Sequence, residues 1–175
     1  MRCLARCGTR RGRIELHMYF KGHFQNAYVT RDLTKAVELV KAQYDFRDFV
    51  YFEPNTEVYT AKGRGPSVVK VALAWSGNLQ IELIEPVSGL VDMYRDYLGP
   101  DHRPRFHHIC MRTHDYDQTR AEIERKKWTV AYEGAVPGVK FIYADTRDTL
   151  GHYVEYLWAS PEMWDGMGGP ASFDP

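Results

Sequence analysis

Cysteine is scarce in this 175-residue sequence. Its three copies, Cys3, Cys7 and Cys110, are odd in number, and only Cys110 sits in a strand-like run. That excludes a disulfide framework and fits a reducing, cytoplasmic compartment. Cys3-x3-Cys7 has no second Cys/His pair at zinc-finger spacing, so it does not read as a zinc site. Long apolar runs are missing too. None reaches the roughly 18 residues of a membrane-spanning helix, so no membrane partner is expected. Net charge is the third absence: 23 Lys+Arg balance 23 Asp+Glu, which argues against general binding to nucleic acid or anionic membrane. The first 13 residues are Arg-rich and free of acids but carry no long amphipathic stretch, so residues 1–21 are expected to be a flexible leader rather than a transit peptide.

What is present is the balance of an ordinary soluble globule, 44% hydrophobic and 26% charged. The length suits one domain or two small halves sharing a core. Aromatics reach 14%, enough to expect that some line a ligand pocket while most fill the core.

Apolar periodicity organises the chain. Residues 24–30 read as a strand, Asp32 as a helix cap, and Leu33–Tyr44 as a helix burying Leu33, Ala36, Val37 and Val40. Residues 46–60 are aromatic and β-rich, residues 61–67 a Gly/Pro loop, and residues 68–75 and 79–84 two strands around a Ser-Gly-Asn turn. A short helix is expected over 87–98, then a polar linker. The pattern then restarts, with a strand at 106–113, a cap at Asp115, a helix at 118–127, and strands at 128–132, 140–144 and 151–158. The predicted divisions are a first module at 22–88, a linker at 89–104, a second module at 105–160 and an irregular tail at 161–175.

This is an internal repeat with a checkable register. Gln25 precedes Asp32 by seven residues, and His108 precedes Asp115 by seven. Each half closes on an apolar-Glu-apolar-apolar strand, Ile81-Glu82-Leu83-Ile84 and Val154-Glu155-Tyr156-Leu157. Each half thus places one Gln or His on its first strand and one Glu on its last. A carboxylate amid apolar strand residues is costly to bury without compensation. A buried salt bridge or an outward-facing edge position explains either Glu alone. A divalent ion explains both together with the matching Gln/His pair, since it accepts carboxylate, imidazole and amide oxygen. The candidate ligands are therefore Gln25, Glu82, His108 and Glu155.

Strand alternation allows only one of His107 and His108 to face the site, and the register selects His108; His107 is then a hydrogen-bonded packing residue. The same alternation puts His23 and Gln25 on one face, which makes His23 the rival first ligand. A His23/His108/Glu155 set suits Fe(II) and dioxygen. The remaining histidines, His17, His102, His114 and His152, receive no role.

These motifs resemble the vicinal oxygen chelate superfamily, whose members include glyoxalase I, methylmalonyl-CoA epimerase, extradiol dioxygenases and fosfomycin-resistance proteins. The likeness covers about residues 22–158. Its local carriers are LQIELIEP at 79–86, FHHICMR at 106–112 and the Asp148-to-Glu155 stretch DTLGHYVE. The epimerase-like and glyoxalase-like members are the most similar. The resemblance implies an α+β fold of two βαβββ modules curled into a half-open barrel around one metal. It implies the same four ligand positions and a homodimer. A Gln/Glu/His/Glu set is similar to that of eukaryotic glyoxalase I, but the arginine those glutathione-binding enzymes carry four residues after the Gln is Val29 here.

The chemistry so implied is an isomerase, epimerase or lyase that moves a proton next to a carbonyl, with Glu82 or Glu155 as base and one divalent ion (Zn, Ni, Co, Mn or Fe) as Lewis acid. Pocket walls are expected from Ala27, Val29, Trp75, Cys110, Phe141 and Tyr143, favouring a small apolar or aromatic substrate. Two other classes stay open: the Fe(II) ring-cleaving dioxygenase using His23, and a metal-free small-molecule binding protein of resistance type.

Overall fold

A computed structural model describes residues 22–173; the predicted leader, Cys3, Cys7 and His17 lie outside them. The first half runs β1 (His23–Val29), α1 (Leu33–Tyr44), β2 (Val50–Phe52), β3 (Asn55–Thr60), β4 (Gly63–Ser76) and β5 (Leu79–Gly89). A single turn, α2 (Asp92–Arg95), leads to the second half: β6 (Arg105–Arg112), α3 (Tyr116–Arg125), β7 (Val130–Val136), β8 (Val139–Asp145), α4 (Arg147–Leu150) and β9 (Tyr153–Ala159). A last helix, α5 (Pro161–Gly166), follows. No helix among the described residues is long and apolar enough to cross a membrane.

The strands order as β2-β4-β3-β7-β8-β9-β6-β1-β5, and β4 also pairs with β5, so eight of them curve into a barrel with β2 as an outlying ninth. The two halves meet along β1 and β6, which run antiparallel. Across the barrel β3 and β7 pair over a short ladder, Val58–Gly134, Tyr59–Glu133 and Thr60–Tyr132. This is the α+β, paired-module barrel that the family resemblance implied, joined by a longer ladder on one side than on the other.

The helices lie outside the barrel for the reason their periodicity gave. Leu33, Ala36, Val37 and Val40 of α1 are buried against Ala72 and Leu83, and Ile123 of α3 packs on Met111, Ile142, Val154 and Tyr156. Matching caps start both helices: Asp32 accepts from Lys35 N at 3.0 Å, and Asp115 from Gln118 N at 2.9 Å.

Three local expectations are corrected. The 61–67 stretch is a tight turn followed by strand, because β4 continues the hairpin with β3 from Gly63 onward. The helix expected over 87–98 shrinks to α2, because β5 stays paired with β4 as far as Ser67–Gly89. Gly89 ends that strand at φ 80°, and a Cβ there would sit 2.0 Å from the Pro66 carbonyl oxygen, so only glycine fits. The supposedly irregular tail contains α5, started by Ser160 as N-cap with Pro161 behind it. Trp164 of α5 is buried against Phe24, Trp75 and Phe173, and Trp75 Nε1 donates to the Met167 carbonyl at 2.7 Å. The tail thus covers one end of the barrel.

Candidate metal centre

Register brings the four candidates to the β1–β6 seam. Ala27 pairs with Glu82 on one side and His108 on the other. Two residues back on the same face of β1, Gln25 pairs with Cys110, which in turn pairs with Glu155. Four strands therefore aim Gln25, Glu82, His108 and Glu155 around two small side chains, Ala27 and Cys110, both fully buried.

The alternation of both first strands is broken at corresponding places. The β1–β6 pairing jumps from His23–Met111 to Gln25–Cys110, and from Ala27–His108 to Tyr28–Phe106. The residue skipped each time, Phe24 or His107, immediately precedes a candidate ligand. Bulges of this kind re-aim side chains beside functional sites. Here the bulge also separates the two candidates for the first ligand position. His23 no longer shares a face with Gln25: it is exposed, and its Nε2 lies 3.0 Å from Asn26 Oδ1. The alternation argument that made it a rival fails at Phe24. His107 becomes a fully buried residue, packed on Tyr94, Tyr97 and Tyr153.

One ligand atom from each of Glu82, His108 and Glu155 lies within 4.8 Å of the others. His108 Nε2 stands 2.9 Å from Glu155 Oε2 and 3.5 Å from Glu82 Oε2. The His108 and Glu155 side chains are 0% and 6% exposed, and Glu82 keeps 13% toward the barrel interior. Burial, and then the Glu155 charge beside it, hold the Glu82 carboxyl well above the ordinary carboxylate range. Burial and the same carboxylate push the Cys110 thiol up. Burial, then His108, push His107 well below the usual histidine range.

Gln25 supplies the test of whether a metal fits. Its Nε2 donates to Gln80 Oε1 at 2.6 Å, while its Oε1, fully enclosed, has no hydrogen-bond partner. A buried amide oxygen without a donor is costly. Two nearby carboxylates without a cation are costlier. An imidazole nitrogen, two carboxylates and an amide oxygen are the mixed N/O set that a borderline divalent ion takes, so the residues fit such an ion.

Beside the centre lies a cavity of about 180 Å³. Glu82 and Glu155 enter it, Val69, Val71, Leu73, Ile84, Phe141 and Leu157 give it apolar walls, and Met163 and Met167 of the tail border it. Of the predicted wall residues, Phe141 and Tyr143 line it. Ala27, Val29 and Cys110 belong to the surrounding core, and Trp75 packs under the tail. The hydroxyls of Tyr94 and Tyr143 are 3.4 Å apart, and that of Tyr143 stands 3.5 Å from His108 Nε2. Tyr94 and Gln80 were not foreseen. Gln80 shares a strand face with Glu82 two residues on, a signal the alternation carries.

The sequence profile of the glyoxalase/bleomycin resistance protein/dioxygenase superfamily matches residues 24–143. The chain belongs to this superfamily. Among solved structures, it is similar to Streptomyces coelicolor methylmalonyl-CoA epimerase in complex with 2-nitronate-propionyl-CoA, with a TM-score of 0.59 at 22% identity over 81% of this chain and 96% of that one. It is similar also to the epimerase from Mycobacterium tuberculosis, with a TM-score of 0.60 at 15% identity over 89% and 98%. A hypothetical protein from Bacillus halodurans gives 0.55 at 14% identity over 79% and 94%. At these identities the likeness is one of fold. No curated protein matches the chain.

Proposed function

We propose that this superfamily member is a divalent-metal-dependent isomerase of the epimerase type, moving a proton next to a carbonyl of a small, apolar or aromatic substrate. One observation carries the reading: two carboxylates and an imidazole converge within 4.8 Å on an apolar cavity, beside an enclosed amide oxygen with no donor. The fold shared with methylmalonyl-CoA epimerases supports it.

Gln25, Glu82, His108 and Glu155 are the residues that would hold the ion. When bound, it supplies Lewis-acid polarisation of a substrate carbonyl. The protein's own groups do the rest. Glu82 is the better placed base: it stands farther from His108 than Glu155 does, is the more accessible of the two from the cavity, and has a carboxyl held well above the ordinary carboxylate range by burial and then by Glu155. The Tyr143 hydroxyl accepts from Tyr94 and stands 3.5 Å from His108 Nε2; with that nitrogen engaged by an ion, it can donate to a developing negative oxygen. Among the described residues no Lys, Arg or His lines the cavity, so the substrate portion it takes is uncharged away from the chelated oxygens. All four proposed ligands come from one chain, so the centre can form without the homodimer that the family likeness suggests.

The dioxygenase alternative loses its first ligand with His23. The metal-free binding alternative leaves the enclosed Gln25 amide oxygen without a donor and two carboxylates crowded together. The test loads the purified chain with Co(II), Zn(II) or Fe(II) in deuterium oxide. Methylmalonyl-CoA and a set of aromatic α-hydroxy ketones are then followed for deuterium at the carbon next to the carbonyl. Incorporation that Glu82→Gln abolishes is expected. Oxygen consumption with catechols by the Fe(II) form, without deuterium incorporation, overturns the reading.

A further inference from the structure

Two side chains outside the ligand set touch it through hydrogen bonds whose direction is fixed by backbone carbonyls. The Met93 carbonyl can only accept. His107 Nε2 lies 3.1 Å from it, so that nitrogen carries a proton. His107 is fully buried among the rings of Tyr94, Tyr97 and Tyr153, and its ring nitrogens meet a neutral carbonyl and an imidazole, so Nε2 carries its one proton and Nδ1 is a bare acceptor. His107 Nδ1 is 2.8 Å from His108 Nδ1, so His108 must donate there. The only nitrogen of His108 able to present a lone pair is then Nε2, the atom facing Glu82 and Glu155.

Gln25 is held in the same manner. The Met167 carbonyl accepts from Gln80 Nε2 at 3.3 Å, which turns Gln80 Oε1 toward Gln25. That oxygen can only accept, so Gln25 presents Nε2 to it at 2.6 Å. The other end of the amide, the partnerless Oε1, is left for the centre. A flipped Gln25 or Gln80 would set two oxygens or two amino groups face to face.

We infer that His107 and Gln80 are positioning residues, each a one-step relay from a backbone carbonyl that forces a lone pair of its neighbouring ligand, His108 Nε2 or Gln25 Oε1, toward the metal. The inference rests on the metal reading above. It assigns work to the bulged His107, and it ties the centre to two segments outside the paired strands: the α2 turn through Met93, and the residue after α5 through Met167. Partners that orient a metal-binding imidazole commonly change affinity about 10- to 100-fold.

The experiment uses the full chain labelled with 15N, metal-free and with Zn(II). Imidazole 15N–1H correlations are expected to show His108 protonated at Nδ1, with a scalar coupling across the hydrogen bond to His107 Nδ1, in both forms. His107→Phe should erase that coupling and weaken Co(II) binding by about 10-fold or more. His107→Asn, whose amide oxygen can replace the acceptor, should recover most of the affinity. Gln80→Met should weaken binding similarly, with His108 still protonated at Nδ1. A His108 ring carrying its only proton on Nε2, or unchanged Co(II) affinity in folded His107→Phe and Gln80→Met, overturns the inference. Wild-type protein with the expected 15N pattern but no affinity for Co(II) leaves the relays standing as hydrogen bonds and overturns the metal reading instead.

Discussion

Replacing Glu82 with Gln should make the metal-free protein more stable while abolishing its use of metal. Glu82 and Glu155 place oxygens within 4.8 Å of each other in a largely enclosed space. Two unit charges at about that distance repel by about 3 kcal/mol at an effective dielectric of about 20. Glu82 avoids this by holding its proton, its pKa raised by burial and then by Glu155. The unfolded chain ionises the same carboxyl near about pH 4.3. A group whose folded pKa is raised contributes stability that is present below the unfolded value and lost as pH rises toward the folded one. The loss is about 1.4 kcal/mol per pH unit, so it is capped near about 3 to 4 kcal/mol at pH 7. The Coulomb repulsion of about 3 kcal/mol lies within that cap and sets the size of the penalty. Glu82→Gln removes the penalty, so with a chelator at pH 7 its unfolding midpoint should rise by about 6–12 °C, at about 2–4 °C per kcal/mol. At about pH 4.5 the gain should shrink nearly to zero. Added Co(II) should reverse the order, stabilising the wild type and leaving the variant unmoved. Thermal unfolding by circular dichroism at the two pH values, with chelator and with Co(II), measures all of this. A variant less stable than the wild type in chelator at pH 7, or a gain that does not depend on pH, refutes the reasoning.

Other consequences are simpler. Tyr143→Phe keeps the ring contacts but removes the hydroxyl beside His108; kcat for proton exchange should fall about 10²- to 10³-fold with Co(II) affinity unchanged. His23→Ala, at an exposed residue bonded to Asn26, should leave metal affinity within about twofold in a calorimetric titration. Ser160→Ala removes the N-cap of α5, whose Oγ accepts from Met163 N, and should cost about 1 kcal/mol, read as a drop of a few degrees in the unfolding midpoint.

The repeat made the architecture legible, because each feature in it has a local physical cause. Asp32 and Asp115 cap helices in both halves, and the apolar face of Leu33–Tyr44 is the face that is buried. Among the ligand candidates, Glu82, His108 and Glu155 are brought together. What escaped the sequence depends on pairing partners. Residues 87–89 read as the start of a helix, yet they are strand because Ser67 and Val68 lie opposite. The choice between His23 and Gln25 rested on strict alternation, and a bulge at Phe24 is set by the register of β6, which no local pattern in β1 reveals. His107 is the hydrogen-bonded packing residue expected of it, and only its contact with His108 was hidden from the alternation. The α5 helix was marked by Ser160-Pro161, a cap signal obscured by the Gly, Pro and Met content around it.

The central claim is that Gln25, Glu82, His108 and Glu155 hold one divalent ion. Titrating the metal-free chain with Co(II), and following the visible d–d absorption and the heat together, tests it most directly. The account predicts one Co(II) per chain with a tetrahedral or five-coordinate spectrum carrying no thiolate charge-transfer band, lost in His108→Ala and in Glu155→Gln. Saturation without a stoichiometric site, or a wild-type spectrum that survives both substitutions, contradicts it.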